Sequence, residues 1–199
     1  MEEGKGGKVE ISEGEYNSNG FALNGLNPFE CHSAGICCWY TGPKPATHEW
    51  PNNTFYGSYV ASGYGTDDKF AAPYDLRNNT NLVVNNTDGS IVGYKYFNFD
   101  AKRLADKGNL MLVLRLIPEG VNGTIDIMMD RPWISQGGKK IGQIDLKADM
   151  ENTVWDMAAG ISTEAKEKDL AVKHAIYFVF KSDIKGKSLC KLVDFVFKL

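Results

Sequence analysis

The residues best suited to chemistry lie in one short run, ECHSAGICCWY, at positions 30–40. It holds three of the four cysteines of the chain and one of its three histidines. Thiolates and imidazoles are preferred ligands of zinc, and a thiol beside a histidine can act as a nucleophile. The run could therefore form a metal site, a thiol active site or a disulfide anchor, or its cysteines could simply fill the core.

Strand geometry argues against a metal or a disulfide in this run, which we predict to be an early β-strand. Alternation along a strand places Cys31 and Cys37 on one face, and His32 and Cys38 on the other. The members of each pair then lie roughly 20 Å apart, whereas a tetrahedral zinc ion holds its ligands within about 2.3 Å. Adjacent cysteines are also poorly placed to form a disulfide. We therefore predict reduced, mostly buried thiols that fill the core or the sheet edge.

Other reactive residues give no signature of an enzyme. Nothing in the sequence selects which of His32, His48 and His174 would pair with a thiol. A nucleophile elbow and a Gly-rich phosphate-binding loop are both missing from the sequence. Asp67 and Asp68 could serve glycosidase chemistry, but adjacent acids in a predicted loop are usually only solvated. We predict that the chain is not an enzyme.

The distribution of charge and apolar residues narrows the range of partners. The 199-residue chain has a net charge of -3, with both signs interspersed. A protein that binds nucleic acid would show a clustered basic face, and a membrane span needs about 20 consecutive apolar residues. Because the sequence has neither, we predict no nucleic acid and no membrane among its partners.

The elements that must position any functional residue are predicted to be short β-strands. Ile125 and Ile127 alternate with Thr124 and Asp126, which is the period of a half-buried strand. Turns rich in Gly, Asn and Asp separate such segments, and the pattern predicts an all-β fold, an antiparallel β-sandwich. The predicted strands are SIVGYKYFNF (90–99), NLMLVLRLI (109–117), TIDIMMD (124–130), KKIGQIDL (139–146), TVWDMAAGI (153–161), KHAIYFVFK (173–181) and SLCKLVDFVFKL (188–199).

Two segments fall outside this pattern. Residues 1–24 are polar and rich in Gly and Asn, so we predict a linker or the tail of a preceding domain. Residues 41–80 are predicted to form one long, irregular loop that contains many aromatic residues. Loops of this length are often functional, and exposed rings can stack on the C–H face of a sugar. Alternatively, the rings pack the loop onto the sandwich.

The order of the late segments resembles that of the family 6 carbohydrate-binding modules. The resemblance rests on the Gly-led strand GYKYFNFD, on Trp155 at the start of a late strand, on IYFVF, and on the terminal D-F-x-F at 194–197. It extends back to LNPFE, which is similar to the Asn-Pro-aromatic start of modules that follow a glycoside hydrolase family 43 catalytic domain. The resemblance implies a β-sandwich (jelly roll) of galactose-binding-like topology over residues 25–199.

The same resemblance implies a function without catalysis. Such modules are parts of secreted enzymes, found outside the cell or at its surface, and they bind xylan, arabinoxylan or a related β-glycan. The implied partners are a polysaccharide or oligosaccharide and a catalytic domain of the same polypeptide, for example a xylosidase or an arabinofuranosidase. Binding raises the effective concentration of the enzyme on its substrate. The alternative is a structural module that packs against its catalytic domain and has lost its sugar and calcium sites.

The residues that match the sites of the family are different in this chain. In the family, two glutamates help hold a structural calcium, but Ser33 and Gly35 stand in their places, and Asp194 matches a third ligand. Calcium takes 6–8 oxygen ligands, so we predict no cofactor, with calcium either lost or bound very weakly.

The sugar cleft of the family also lacks its usual residues in this chain. Its Tyr falls near Val83 or Val84, its Trp near Asn152 and its Asn near Lys191. We therefore predict that sugar binding has moved to the aromatic loop or to the concave sheet face, or has been lost. The predicted stacking residues are Trp39, Tyr40, Trp50, Tyr56, Tyr59 and Tyr64.

Overall fold

The computed structural model describes residues 9–11, 14–16, 25–42, 60–62, 81–99, 110–162 and 173–199. Within these ranges the secondary structure consists of β-strands and short 3-10 turns. No helix in the described part of the chain is long and apolar enough to cross a membrane. The strands are β1 (Val9–Ile11), β2 (Gly14–Tyr16), β3 (His32–Ser33), β4 (Trp39–Thr41), β5 (Val60–Ser62), β6 (Asn81–Val83), β7 (Ile91–Asn98), β8 (Met111–Pro118), β9 (Gly123–Met129), β10 (Lys139–Leu146), β11 (Trp155–Gly160), β12 (Lys173–Lys181) and β13 (Cys190–Lys198).

The strands form two antiparallel sheets. The five-stranded sheet has the order β10-β9-β12-β7-β4. The six-stranded sheet has the order β11-β8-β13-β6-β5, and β3 also pairs with β13. The predicted all-β antiparallel sandwich is confirmed, and all seven late strands lie where the apolar alternation placed them.

The core lies between the two sheets and is rich in aromatic rings. The rings of Tyr94 and Phe195 meet edge to face with centroids 4.7 Å apart, and Phe178 packs against both. The Tyr94 hydroxyl is fully buried, and it donates a hydrogen bond to the carbonyl of Ala34 at 3.0 Å. A buried hydroxyl without a partner would be costly, so this bond fixes the entry segment against the core.

The run ECHSAGICCWY is not one strand, and the prediction was wrong on this point. It forms β3, a 3-10 turn over Ala34–Ile36 and then β4. The Ser33 hydroxyl accepts a hydrogen bond from the Gly35 amide at 3.2 Å, which favours a turn over an extended chain. Because β3 pairs with β13 and β4 pairs with β7, the run crosses from the six-stranded to the five-stranded sheet.

The cysteines only partly follow the prediction. All four are free thiols, as expected for reduced cysteines. Cys37 and Cys190 are buried, but Cys31 and Cys38 are exposed, so the prediction of mostly buried thiols holds for half of them. The strand alternation used to assign their faces fails because the 3-10 turn intervenes.

The segments outside the late strands contain more structure than the sequence suggested. The predicted irregular stretch 41–80 includes β5, which pairs with β6, so it is not one continuous loop. Within the predicted linker, β1 and β2 pair as an antiparallel hairpin. The division into a linker at 1–24 and a module at 25–199 stays a prediction.

Candidate functional site

The outer face of the five-stranded sheet carries a row of residues that run across all five strands. Strand register places Tyr177 beside Gly93 on one side and Met128 on the other. Trp39 extends the row beyond Gly93, and Lys140 extends it beyond Met128. We call these five residues the aromatic row. With neighbouring strands about 4.8 Å apart, the row spans about 19 Å.

The Tyr177 ring packs directly on the backbone of Gly93, because Gly93 has no side chain. A Cβ atom at this position would lie 2.6 Å from Cε1 of Tyr177 and 3.5 Å from Cε3 of Trp39. The Tyr177 ring therefore covers the space above the Gly93 backbone. Its centroid lies 5.7 Å from that of Trp39, with the ring planes at 86°, an edge-to-face contact.

A third ring, that of Trp133, joins the row from the turn between β9 and β10. It packs against Trp39 with centroids 5.9 Å apart and the planes at 68°. A 3-10 turn over Ile134–Gln136 follows, and it ends at Gly137, whose φ of 87° suits a glycine. Trp133 is 42% exposed and Trp39 is half-buried, whereas Tyr177 is almost fully buried. The accessible apolar surface of this cluster is therefore supplied mainly by the two tryptophans.

The sequence analysis did not single out Trp133. Its signal was present in the turn segment RPWISQGG, where a large ring stands between two predicted strands. A tryptophan in a short turn has no strand face to fill, so its ring must lie over a neighbouring surface or in solvent.

The phenol of Tyr177 is neutral at ordinary pH. Burial raises its pKa, and the positive charges of Lys95 and Arg131 only partly offset that effect. The phenol can therefore both donate and accept a hydrogen bond.

A buried carboxylate stands beside the row. The Asp126 side chain lies between two lysines, with Lys140 Nζ 2.6 Å from Oδ1 and Lys181 Nζ 2.5 Å from Oδ2. Burial alone would raise the pKa of Asp126, but the hydrogen bonds and charges of both lysines outweigh it, so the pKa lies below its usual value. Asp126 thus stays ionised and holds both ammonium groups on the outer face.

The predicted stacking residues are only partly placed by the structure. Trp39 lies in the aromatic row. Tyr40 points to the opposite face of β4 and packs against the core, so it does not share a surface with Trp39. The other predicted residues lie outside the described residues, and their role stays a prediction: Trp50, Tyr56, Tyr59 and Tyr64.

Of the positions that match the sugar cleft of the family, Val83 and Lys191 lie on strands of the six-stranded sheet, and Asn152 lies in the segment before β11. Val84 packs there against a small cluster made of Leu82, Ile117 and Val193. Trp155 stands nearby with 38% of its surface exposed, but its indole N–H already donates to a backbone carbonyl at 3.0 Å. Among the described residues of this surface, no pair of exposed rings like Trp39 and Trp133 occurs.

The residues around Asp194 do not fit a calcium ion. Asp194 faces Ser33 on one side and Arg115 on the other, and Arg115 Nη1 lies 3.3 Å from its Oδ2. Arg115 Nε also lies 3.0 Å from an oxygen of Asp156. Burial raises the pKa of Asp194, and the guanidinium opposes that rise. The carboxylate thus already has a cationic partner, and no group of three or more potential metal ligands occurs among the described residues.

The described chain also forms a polar groove of about 530 Å³ at one end of the five-stranded sheet. Its lining includes Asp88, Asn122, Asp145, Lys181 and Lys185, without an aromatic side chain among the described lining residues. The ammonium of Lys185 already pairs with Asp88 at 2.5 Å. This groove therefore offers hydrogen bonds but no surface on which a ring could stack.

Comparison with known proteins identifies the fold. No protein-family model matches the sequence, and neither does any curated relative. Solved structures do match. A family 6 carbohydrate-binding module from Clostridium cellulolyticum, in complex with xylose, is 18% identical with a TM-score of 0.54, over 87% of this chain and 100% of that one. A β-1,3-glucan-binding module of the same family from Bacillus halodurans is 17% identical with a TM-score of 0.56, over 87% of this chain and 98% of that one.

A larger protein contains the same fold. A glycoside hydrolase family 43 arabinoxylan arabinofuranohydrolase from Bacillus subtilis, in complex with cellotetraose, is 15% identical with a TM-score of 0.59. The match covers 92% of this chain but only 32% of that enzyme. At such low identities the similarity concerns the fold, and it shows that this chain has the β-sandwich fold of the family 6 carbohydrate-binding modules.

Proposed function

We propose that this protein is a non-catalytic carbohydrate-binding module that binds a β-linked polysaccharide on the outer face of its five-stranded sheet. The observation that carries the proposal is a pair of accessible rings, Trp39 of the aromatic row and Trp133 packed against it, which lie beside polar side chains. A sugar stacks its C–H face on such rings, while neighbouring polar groups bind its hydroxyls. The fold shared with modules that bind xylose and β-1,3-glucan supports this assignment.

The finer parts of the proposal concern the ligand and the setting. Xylan, arabinoxylan or a related β-glycan is the proposed ligand, and the proposed setting is a secreted glycoside hydrolase, such as a family 43 enzyme. The match to part of a family 43 enzyme supports this setting. In this arrangement the module would raise the local concentration of a catalytic domain on insoluble substrate. We also propose that Trp50, Tyr56, Tyr59 and Tyr64 stack on the same polysaccharide.

Binding to immobilised polysaccharide tests the proposal. Affinity electrophoresis in gels containing xylan, arabinan or β-glucan should retard the wild-type protein. Trp133→Ala should weaken binding about two- to tenfold, since a stacked ring contributes about 0.5–1.5 kcal/mol. Trp155→Ala is the matched control, because it removes a similarly exposed tryptophan from the other sheet.

Two results would contradict the proposal. If the wild-type protein bound none of these polymers, the alternative of a structural module packed on a catalytic domain would be favoured. If Trp155→Ala abolished binding while Trp133→Ala left it intact, the site would lie on the six-stranded sheet.

A further inference from the structure

We propose that the outer face selects an acidic polysaccharide, and that Lys95 and Arg131 bind the carboxylate of a uronic acid at the border of the aromatic row. This inference rests on the proposed function and names the substrate class of the same site. It depends on where the cations of this face lie and on which carboxylates already neutralise them.

Lys95 stands at one border of the row. It lies two residues after Gly93 on β7, so its side chain points to the same outer face. It is exposed, and its Nζ lies 5.8 Å from the centroid of the Tyr96 ring. Among the described residues, no carboxylate lies within ion-pair distance of this ammonium group. Lys95 is therefore a cation without a counter-charge in the described chain.

Arg131 stands in the turn that carries Trp133. Its backbone amide donates to the Met129 carbonyl at 2.8 Å, which fixes the start of that turn. The side chain is exposed, and again no described carboxylate pairs with it. Arg131 lies two residues before Trp133, whose ring packs against Trp39, and Lys95 lies two residues after Gly93, the strand partner of Trp39. Both cations therefore stand near the Trp39 end of the row, and the positive charge of each opposes the rise in the pKa of Tyr177.

The carboxylates nearest to the row are already engaged. Asp126 is held between Lys140 and Lys181, so two ammonium groups share one carboxylate. An oxygen of Asp130 lies 2.8 Å from Nδ1 of His174. Among the described residues, Lys95 and Arg131 are thus left without a carboxylate partner, although the whole chain has a net charge of -3. A basic patch on an acidic protein does not follow from composition, and it complements a negatively charged ligand.

Uronic acids match this arrangement of rings and charges. A uronic acid carries its carboxylate at the edge of the sugar ring, so a ring stacked on the row would direct the carboxylate outward to the border cations. A guanidinium binds a carboxylate through two parallel N–H donors. A neutral hydroxymethyl group cannot form this ion pair, because it carries no charge. The same rings thus bind neutral and acidic sugars, and the cations favour the acidic one.

A matched pair of polymers tests this inference. Binding of the intact protein to glucuronoxylan is compared with binding to the same polymer after its uronic acids have been chemically reduced to neutral sugars. We expect severalfold tighter binding to the acidic polymer at about 0.05 M salt. That preference should be lost near 1 M salt, where charges are screened beyond about 3 Å. Lys95→Gln and Arg131→Gln should each lower the affinity ratio of the two polymers about two- to fivefold. Lys198→Gln removes an exposed charge from the other sheet and should not change the ratio.

The outcomes separate this inference from the proposed function. Equal binding to both polymers overturns the acidic preference and leaves the carbohydrate-binding function intact. Binding to neither polymer, nor to any neutral glycan, overturns both. A preference that survives in both variants, or stronger binding to a sulfated polysaccharide than to glucuronoxylan, overturns the assignment of a uronate to these two residues.

Discussion

Replacing Gly93 with alanine directly tests the packing of the Tyr177 ring on the Gly93 backbone. The added Cβ would lie 2.6 Å from Cε1 and 2.7 Å from Cδ1 of Tyr177, well inside van der Waals contact. Because Tyr177 is almost fully buried and Trp39 packs against its edge, the ring cannot move without disturbing the second ring. Overpacking of this kind costs about 1–3 kcal/mol, and we expect that loss in the free energy of unfolding.

The sign of the effect makes the test informative. Glycine to alanine in a strand without steric conflict stabilises a protein by about 0.4–1 kcal/mol, because the unfolded chain loses freedom. Gly160, in β11, provides that reference, since a Cβ there would meet no atom within 4 Å. Gly160→Ala should therefore be neutral or stabilising, whereas Gly93→Ala should be destabilising.

Urea denaturation followed by tryptophan fluorescence measures both variants. A second readout is polysaccharide affinity, which Gly93→Ala should lower because Trp39 is displaced. In the double variant Gly93→Ala/Tyr177→Val the ring is gone, so the added methyl group should cost much less than in the wild-type background. If Gly93→Ala were as stable as Gly160→Ala, the Tyr177 ring would not lie over Gly93, and the described packing of these two residues would be wrong.

Three further predictions concern charge, metal and thiols. The pKa of Asp126 is lower in the folded state than the unfolded value of about 3.9. Its ion pairs therefore stabilise the fold above the unfolded pKa, and this stabilisation is lost as the pH falls through the folded pKa. Asp126→Asn should therefore destabilise the protein at pH 7 but not near pH 2, as measured by urea unfolding at each pH. EDTA should leave the melting temperature unchanged, and a melting temperature that falls with EDTA would contradict the absence of a calcium role for Asp194. Arg115→Met should lower the free energy of unfolding by about 1–3 kcal/mol, because the buried Asp194 loses its partner. Thiol titration should count two cysteines in the native protein and four after unfolding. Burial raises the pKa of Cys37 to about 12, and it raises the pKa of Cys190 well above the usual value of a thiol. The accessible thiols are those of Cys31 and Cys38, and the inaccessible thiols are those of Cys37 and Cys190.

The late strands were predictable because burial on one face imposes a period that local sequence records. The strand Lys173–Lys181 has the same bounds in the sequence pattern and in the structure. The crossing segment was not predictable in this way, because the Ser33 hydroxyl and the Gly35 amide close a turn that apolar periodicity cannot show. Alternation is informative only where one sheet continues.

The candidate site was predictable in smaller part. Trp39 was predicted as a stacking residue because it opens the aromatic segment, and that role stays a prediction. The roles of Gly93 and Trp133 depend on contacts made across the sheet with Tyr177 and Trp39, and no local pattern encodes such contacts. The charge of the outer face likewise arises from residues that are distant in sequence and adjacent only after folding.

The segment from β3 to β4 has a mechanical consequence. It pairs with β13 in one sheet and with β7 in the other, and it carries Trp39 at its far end. A module bound to an insoluble polymer experiences tension at its contact residues when the rest of its polypeptide is pulled by flow or diffusion. A load on Trp39 is borne first by the short ladder between β4 and β7 and then, through the turn, by β3 and β13. β4 is an edge strand, but its connection to β3 should pass the load on to the second sheet. We therefore expect a higher single-molecule unfolding force for an attachment at Trp39 than for one on β10, the opposite edge strand, and equal forces would refute this.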